Sequence, residues 1–413
     1  MQSLLLIGSV MLIAATSGDA MRFNAAQEVA APYSYDLITW HLENSLSKWT
    51  HRVSRYLPWN GLTEAERQSM VVEYFDLTPR LGELKDRVAN VSSDPGNDLG
   101  LTLSGLESEL ETVRARREQL RPDVEEALES AISAIAQEQR LSALGELVFP
   151  PVDIRLTEPP KVLITSPRDR IQRTHDVLID PRVQVEDREI MESQLLESDD
   201  LSALVVDIGG VATYPASLYS GGNIEGTLRI AAHEWLHHYL FFKPLGQNMY
   251  ESSEMQVLNE TLADLAGREI GDLAFRLPSI AVTLNDSNVP VANFGGTQED
   301  ETAELEKFDF RIEMRETRAQ VDELLSKVKI EDAESFMEMR RLMFVANGFD
   351  IRKLNQAYFA FNGTYADSAA SSSPIADQLK RYRDSTSDVG AFVKKVAAFS
   401  SYQEFLNGLN ELD

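Results

Sequence analysis

The sequence predicts a predominantly helical α+β protein with a small mixed sheet. Long segments in which apolar residues recur every three to four positions indicate amphipathic helices. A central stretch, from residue 147 to residue 215, instead carries short runs of β-forming residues between prolines and glycines, which predicts short strands. A chain of 413 residues exceeds one core of ordinary size, so two or three domains are expected.

Composition restricts the class of partner. The chain is 43% hydrophobic and 25% charged, the balance of a soluble globular protein, and its formal net charge is −27. That charge repels nucleic acid phosphates and anionic lipid, so no nucleic acid partner is predicted. There are no cysteines, so any metal ion must be held by His, Asp or Glu side chains.

The N-terminus carries the apolar run "LLLIGSVMLIAA" at residues 4–15. A membrane span needs roughly 20 such residues, so the run better fits the apolar core of a signal peptide, although no Lys or Arg precedes it. We therefore predict a signal peptide or membrane anchor at 1–20 and an exported or membrane-anchored, extracytoplasmic protein. The alternatives are a buried N-terminal helix and a cytoplasmic protein.

Residues 21–145 are predicted to be a helical N-terminal region. An amphipathic pattern indicates a first helix between residues 36 and 57. Thr63 and Glu66 have the spacing of a capping box that opens a second helix. Residues 103–145 have the composition of long helices, with Pro122 predicted to interrupt them.

Short strands are predicted at 152–156 and 162–164, and in "HDVLID". A short helix at 186–197 follows, and "ALVVDIGGVATYP" then predicts a strand or a pair of strands. The two adjacent glycines in this segment indicate a turn, or a place where another backbone comes close.

Two helices are predicted to follow the strands. The first contains "LRIAAHEWLHHYLFF", residues 228–242, and must end before Pro244. The second covers residues 251–275. Its Ala263, Gly267 and Gly271 are spaced by four residues, so a neighbouring helix could approach this face closely. We predict that a catalytic core covers 146–283.

The C-terminal lobe is predicted to cover residues 284–413. It opens with turn formers and an acidic run at 298–306, interpreted as a solvated loop, with a flap over a cleft as the alternative. Helices then continue to the C-terminus, interrupted by the small-residue loop "FNGTYADSAASSSP".

The candidate chemistry begins with His-Glu-x-x-His in the first of the two helices. Residues four apart lie on one helix face about 6 Å apart, so His233 and His237 can face one ion. Glu234 lies about 100° further round the helix, where it can reach a water molecule without being a ligand. Zinc needs a third protein ligand that this helix cannot supply.

The segment "LNETLAD" on the second helix supplies the remaining groups. Glu260 can present a carboxylate to the same ion if the helices turn back on one another. Asp264, four residues on, and Asn259 can each accept a hydrogen bond from the far nitrogen of a ligand histidine. The alternative interpretation of Glu260 is a solvated helix carboxylate.

His-Glu-x-x-His followed on the next helix by Asn-Glu-x-x-x-Asp resembles the gluzincin metallopeptidases, the group of thermolysin and the aminopeptidase-N-like enzymes. The match covers residues 200–275. The resemblance implies a zincin-like core with an active-site helix pair and one zinc ion. The zinc ligands that it implies are His233, His237 and Glu260. It also implies that Glu234 is the general base and that Asp264 orients His233.

The same resemblance places an edge strand that pairs with the substrate backbone at "GGVATYPASL". Two features depart from the family. The gap between the second histidine and Glu260 is longer than in thermolysin-like enzymes, and the aminopeptidase strand Gly-x-Met-Glu-Asn is absent. Cleavage from the amino end or internally is therefore left open.

Peptide hydrolysis also needs a donor that stabilises the oxyanion. No histidine follows residue 238, so a tyrosine is expected, and Tyr365 in the glycine-containing loop is the first choice. The other candidates are Tyr358, Tyr250 and Tyr214. For each of them, an ordinary core or surface aromatic is the alternative.

The remaining histidines are given no catalytic role. His238 is one position round from the metal face and is interpreted as a surface residue or as a partner of the ligands. His41 and His51 are interpreted as packing or solvent residues, and His175, in the strand region, as a structural residue.

The sequence favours a zinc-dependent peptidase that acts on peptides or proteins, with a possible membrane tether. One alternative is a catalytically inactive metal-binding protein that uses its helical arm to bind partners. The other is a purely structural helical protein in which the histidines are accidental. The substrate and the oligomeric state are left open.

Overall fold

The protein is mostly helical with a small mixed sheet, which confirms this level of the fold prediction. The computed structural model describes residues 23–37, 39–40, 44, 48, 63–92, 100–144, 147–280 and 308–412. The predicted signal segment, His41, His51, most of the predicted helix at 36–57 and the predicted loop at 284–306 lie outside these residues. The boundaries at 145 and 283 stay a prediction.

The helices before the strands are α1 (Ala25–Ala30), α2 (Glu64–Ser92) and α3 (Gly100–Glu138). The central helices are α4 (Val185–Asp199), α5 (Ile224–Phe241), α6 (Pro244–Gln247) and α7 (Ser253–Phe275). The C-terminal helices are α8 (Phe310–Ser326), α9 (Ile330–Ala346), α10 (Gln356–Asn362), α11 (Ile375–Asp384), α12 (Val389–Ala397) and α13 (Tyr402–Asn410).

The described strands form a hairpin and two sheets of three strands. The hairpin pairs β1 (Ser142–Leu144) with β2 (Leu147–Val148). In the first sheet, β4 (Lys161–Pro167) lies between β5 (His175–Ile179) and β6 (Leu201–Val206), with both neighbours antiparallel. The second sheet is mixed: β8 (Ala216–Tyr219) is parallel to β3 (Ile154–Thr157) and antiparallel to β7 (Gly210–Val211).

The second predicted helix of the N-terminal region begins with the predicted capping box, but the helix after it is not interrupted where the sequence predicts. The Thr63 backbone N–H donates to Glu66 at 2.8 Å, and the Glu66 N–H donates to Thr63 Oγ1 at 3.3 Å, so the capping box is present. The prediction that Pro122 interrupts the next helix is wrong, because α3 runs through it. A proline costs an interior helix about 3 kcal/mol, and burial of Leu120 and Val124 against the core on either side of it opposes that cost.

The end of this region also differs from the prediction. Helix was predicted to residue 145, but α3 ends at Glu138 and the β1–β2 hairpin follows. Arg140 adopts a left-handed conformation with φ of 58° just after the helix. The pattern of apolar residues is too short there to distinguish a strand from the end of a helix. Tertiary packing therefore determines which of the two forms.

The largest hydrophobic core joins elements from much of the chain. It contains residues of α2 and α3, of β3 and β8, of α5 and α7, and of the last three helices. A second cluster lies between α8 and α9, and a third lies between α1, α4 and the first sheet. None of the helices in the described part of the chain combines the length and the apolarity that a membrane crossing needs.

Helices α5 and α7 pack closely because α7 presents glycines to α5, as their four-residue spacing predicts. A Cβ on Gly267 would lie 2.9 Å from His233 Cα, and a Cβ on Gly271 would lie 2.6 Å from Arg229 Cα. Side chains at these two positions would separate the helices. The glycines therefore set the distance between the two sides of the candidate site.

We expect Gly267→Ala to lower the free energy of unfolding by about 1–3 kcal/mol, because the added methyl group overpacks the α5–α7 contact. Gly82→Ala in α2 is the matched control, since no atom lies within 4 Å of its added Cβ. Glycine disfavours a helix interior, so the control should gain roughly 0.5–1 kcal/mol. Urea denaturation measures both, and equal effects at the two positions would contradict the close-packing account.

Candidate metal centre

Helix α5 presents its polar side to a cleft because its apolar side is fixed in the core. The Asn223 side chain caps the helix by accepting from the Gly226 N–H at 2.7 Å. Trp235 and Leu236 are fully buried, and the Trp235 indole N–H donates to the Pro150 carbonyl at 2.9 Å. These contacts orient the helix so that the motif residues line the cleft.

Helix α7 supplies the opposite side of the site. Ser252 caps it, accepting from the Met255 N–H at 3.2 Å. An ion pair between Arg229 of α5 and Asp272 of α7, at 2.6 Å, holds the two helices in register. This arrangement brings Glu260 opposite the histidines of α5.

The donor atoms of His233, His237 and Glu260 all lie within 4.8 Å of one another. The two histidine Nε2 atoms are 3.0 Å apart. Glu260 Oε2 lies 3.7 Å from His233 Nε2 and 3.4 Å from His237 Nε2. A tetrahedral zinc site with bonds of about 2.0–2.1 Å has ligand atoms about 3.3 Å apart, so this donor set fits one zinc ion.

The charges of these groups favour a bound cation. Burial lowers the pKa of His233, but the neighbouring Glu260 and Glu234 carboxylates outweigh it and raise that pKa to about 9. Burial raises the pKa of Glu260, yet the two histidines hold it well below its usual range. The same negative charge that stabilises a protonated imidazole would stabilise a metal ion in its place.

Asn259 lies behind His237, one of the candidate donors. His237 Nδ1 donates to Asn259 Oδ1 at 3.0 Å, and Asn259 is buried. This bond fixes the tautomer in which His237 Nε2 is free to bind an ion. The structure thus brings Asn259 to the place that the sequence predicts for it.

Asp264 makes different contacts from those that the resemblance implies. Its carboxylate lies 3.2 Å from Arg268 Nε and 2.7 Å from Arg268 Nη2, and it also shares a hydrogen bond with Asp367. No hydrogen bond to His233 is present among the described residues. Arg268 is one turn further along α7 and also pairs with Asp367 at 3.1 Å, so it attracts the Asp264 carboxylate. Burial and the Asp367 charge raise the pKa of Asp264 to about 6. Asp264 acts on His233 through its charge alone.

Glu234 lies in a confined position beside the candidate donor residues. It is 7% exposed, and burial raises the pKa of its carboxyl group. A Cβ on Gly210, in strand β7, would lie 2.6 Å from Glu234 Oε1. The atoms closest to Gly210 belong to the side chains of Glu234 and Ile230 and not to another backbone, whose close approach the adjacent glycines suggest. Strand β7 therefore runs directly beside the Glu234 side chain.

All four candidate tyrosines line the cleft, but they lie in different surroundings. The Tyr365 ring is 6.2 Å from the His233 ring. Its loop is tied to α7, because the Ala366 N–H donates to Thr261 Oγ1 at 2.9 Å. Burial and the Glu260 charge raise the pKa of Tyr365 well above 10, so its hydroxyl stays protonated. Burial raises the pKa of Tyr358 to about 12.

The two other described histidines are not part of the donor group. His238 Nε2 lies 2.8 Å from the Thr213 carbonyl oxygen, and its ring lies 5.3 Å from that of Tyr214. His175 begins β5 on the surface, with Nδ1 3.4 Å from Thr165 Oγ1. Within the described residues, the only group placed to hold an ion is His233, His237 and Glu260.

Sequence reasoning missed a partly buried cation in the cleft, Arg173. Burial lowers the pKa of Arg173, but Asp176 and the more distant Glu260 outweigh this effect and raise that pKa. Arg173 pairs with Asp176 at 2.7 Å, and its guanidinium lies 5.3 Å from the centre of the Phe361 ring. The segment "SPRDRIQRTHD" holds several arginines, and nothing in the local pattern distinguishes the one that faces the cleft. Arg268 could have been found from its spacing of four residues from Asp264.

These residues surround one large cleft of about 1910 Å³. It contains Glu234, the three donor residues and Arg173, and its wall includes Gly210 and Val211 of β7. A small-molecule site usually measures about 300–1,000 Å³, so the cleft has room for a larger ligand. Comparison of the chain with family models, with curated proteins and with solved structures finds no match.

Proposed function

We propose that the protein is a zinc-dependent peptidase in which His233, His237 and Glu260 hold one zinc ion and Glu234 is the general base. One observation carries the proposal: three donor atoms at tetrahedral spacing share a cleft with a buried carboxylate that is not needed to hold the ion. A site that only stored or sensed zinc would not require Glu234. The resemblance to gluzincin peptidases supports the same function.

In this proposal the second sheet and the α5–α7 pair form a zincin-like core. The β7 strand beside Glu234 is the edge that pairs with an extended substrate. The size of the cleft supports a peptide or protein substrate. The N-terminal apolar run supports an exported or membrane-anchored protein.

In the proposed reaction, each side chain of the site has a separate role. A bound zinc ion supplies the Lewis acidity that polarises the scissile carbonyl and makes water more acidic. Glu234 accepts a proton from the attacking water and later delivers it to the leaving amine. Its burial favours the first transfer, because a raised carboxyl pKa makes the Glu234 carboxylate a stronger base toward the attacking water. Asn259 keeps His237 in the tautomer that binds the ion.

We expect Tyr365→Phe to lower kcat by about 10²–10³-fold, because the Tyr365 ring lies 6.2 Å from the His233 ring and its hydroxyl would stabilise the oxyanion. KM and zinc content should stay close to wild type. Tyr250→Phe is the control, since Tyr250 lines the same cleft but is 83% exposed. Steady-state kinetics on an internally quenched peptide measures the effect, and an unchanged kcat would assign the oxyanion donor elsewhere.

The proposed function is tested by hydrolysis of an unfolded polypeptide by the zinc-loaded protein, with Glu234→Gln as the comparison. Cleavage that depends on Glu234 supports the peptidase. Zinc bound at His233, His237 and Glu260 without cleavage would support the alternative, a metal-binding protein that uses its helical arm for partners.

A further inference from the structure

One end of the cleft carries a cluster of exposed aromatic side chains. We name this cluster the aromatic shelf and define it by its five residues, all of which line the cleft: Phe149, Tyr214, Phe241, Phe242 and Tyr250. Phe241 is 69% exposed and Phe242 is 50% exposed. Soluble proteins rarely leave several large apolar rings together in water unless the surface has a partner.

Three of the five rings of the shelf, those of Phe149, Phe241 and Phe242, contact one another. The Phe242 ring centre lies 5.1 Å from that of Phe149 and 5.2 Å from that of Phe241. These rings come from the end of α5 and from the segment after β2, so the surface is assembled by the fold. A bound apolar side chain would cover several rings at once.

The position of the shelf relative to the metal site follows from helix geometry. Phe241 is one turn beyond His237 on α5, and two turns beyond His233. At 1.5 Å per residue, it is about 12 Å along the axis from His233. An extended polypeptide rises about 3.3 Å per residue. A substrate whose scissile bond lies at the metal site would therefore reach the shelf three or four residues further along.

We propose that the aromatic shelf binds a large apolar or aromatic side chain of a polypeptide substrate, three or four residues from the scissile bond. The inference rests on the proposed peptidase function and adds the class of substrate that the site selects. Two observations favour an extended polypeptide as the occupant. The shelf is continuous with the cleft that holds the donor group, and the β7 strand borders that same cleft.

Peptide binding tests this proposal without requiring cleavage. The protein used is zinc-loaded Glu234→Gln, and the probes are fluorescein-labelled unfolded peptides in which a single Phe is moved through a Ser-rich sequence. Fluorescence anisotropy should show about tenfold tighter binding for the best Phe position than for the all-Ser peptide, the effect of burying much of one ring. Adding the substitutions Phe241→Ser and Phe242→Ser together should reduce this preference to less than about twofold.

The matched control adds Ile190→Ser to the same protein. Ile190 is 58% exposed on α4 and is not among the residues that line the cleft. This variant should keep the full preference for Phe. Thermal unfolding of each variant verifies that the fold is retained, and substitution at exposed positions should change the melting temperature little.

The outcomes distinguish a failure of the shelf proposal from a failure of the proposed peptidase function. A Phe preference that the shelf variant loses supports the proposal, even if the wild-type protein cleaves nothing, in which case only the peptidase fails. Cleavage by the wild type with no Phe preference, or with a preference that the shelf variant keeps, overturns the proposal. Sedimentation with phosphatidylcholine vesicles that the shelf variant loses, without any Phe preference, would assign the shelf to a membrane surface and would also overturn it.

Discussion

The Glu234→Gln variant is expected to lose about 10²–10⁴-fold in kcat while it retains a full zinc ion, because glutamine has the size of glutamate but cannot accept a proton. The site of the change is buried beside Gly210, so the similar size of the two side chains preserves the packing. Hydrolysis of an internally quenched peptide and metal analysis of the same preparation measure the two quantities.

The control for this variant is Glu225→Gln in the first turn of the same helix. Glu225 pairs with Arg229 near the surface, and both side chains are about 40% exposed. Its loss should change kcat by less than about twofold, as for most exposed ion pairs. Equal activity of Glu234→Gln and wild type would remove Glu234 from the mechanism.

The Glu260→Gln variant is expected to lose zinc and, with it, the zinc-dependent part of stability. A ligand that binds only the folded state raises the free energy of unfolding by about 4 kcal/mol when its free concentration exceeds Kd about 1,000-fold. Wild-type protein should therefore unfold at a higher temperature with zinc than after dialysis against a chelator. In Glu260→Gln this difference should be largely lost, since the remaining ligands are the two histidines of α5.

Glu254→Gln is the matched control for the metal experiment, because Glu254 lies exposed in the first turn of the same helix. It should keep the whole zinc-dependent shift. An unfolding temperature of the wild-type protein that is the same with zinc and with chelator would contradict the metal centre. A Glu260→Gln variant that keeps the full zinc-dependent shift in unfolding temperature would contradict it as well.

The helix pair could be predicted from the sequence because its determinants are local. The spacing of His233 and His237 follows from helix geometry, and the spacing of Gly267 and Gly271 predicts the close approach that brings Glu260 near. These features depend on residues within a few turns of one another. The same is true of the capping box at Thr63.

Other features depend on packing that no short segment encodes. The helix continues through Pro122 because its flanking residues are buried against distant elements. The pairing of Asp264 with Arg268 is local, but Arg268 also holds Asp367 from a distant loop, and this second contact is not encoded in the motif. Arg173 faces the cleft where its guanidinium lies over the Phe361 ring of α10, a contact between distant parts of the chain. The aromatic shelf is likewise assembled from separate segments.

The central claim is that three side chains hold one zinc ion beside Glu234. A crystal grown with zinc and measured on both sides of the zinc absorption edge tests it most directly. The account predicts one anomalous peak within about 2.3 Å of His233 Nε2, His237 Nε2 and a Glu260 carboxylate oxygen. No peak between α5 and α7, or a peak bound by other residues, would contradict it.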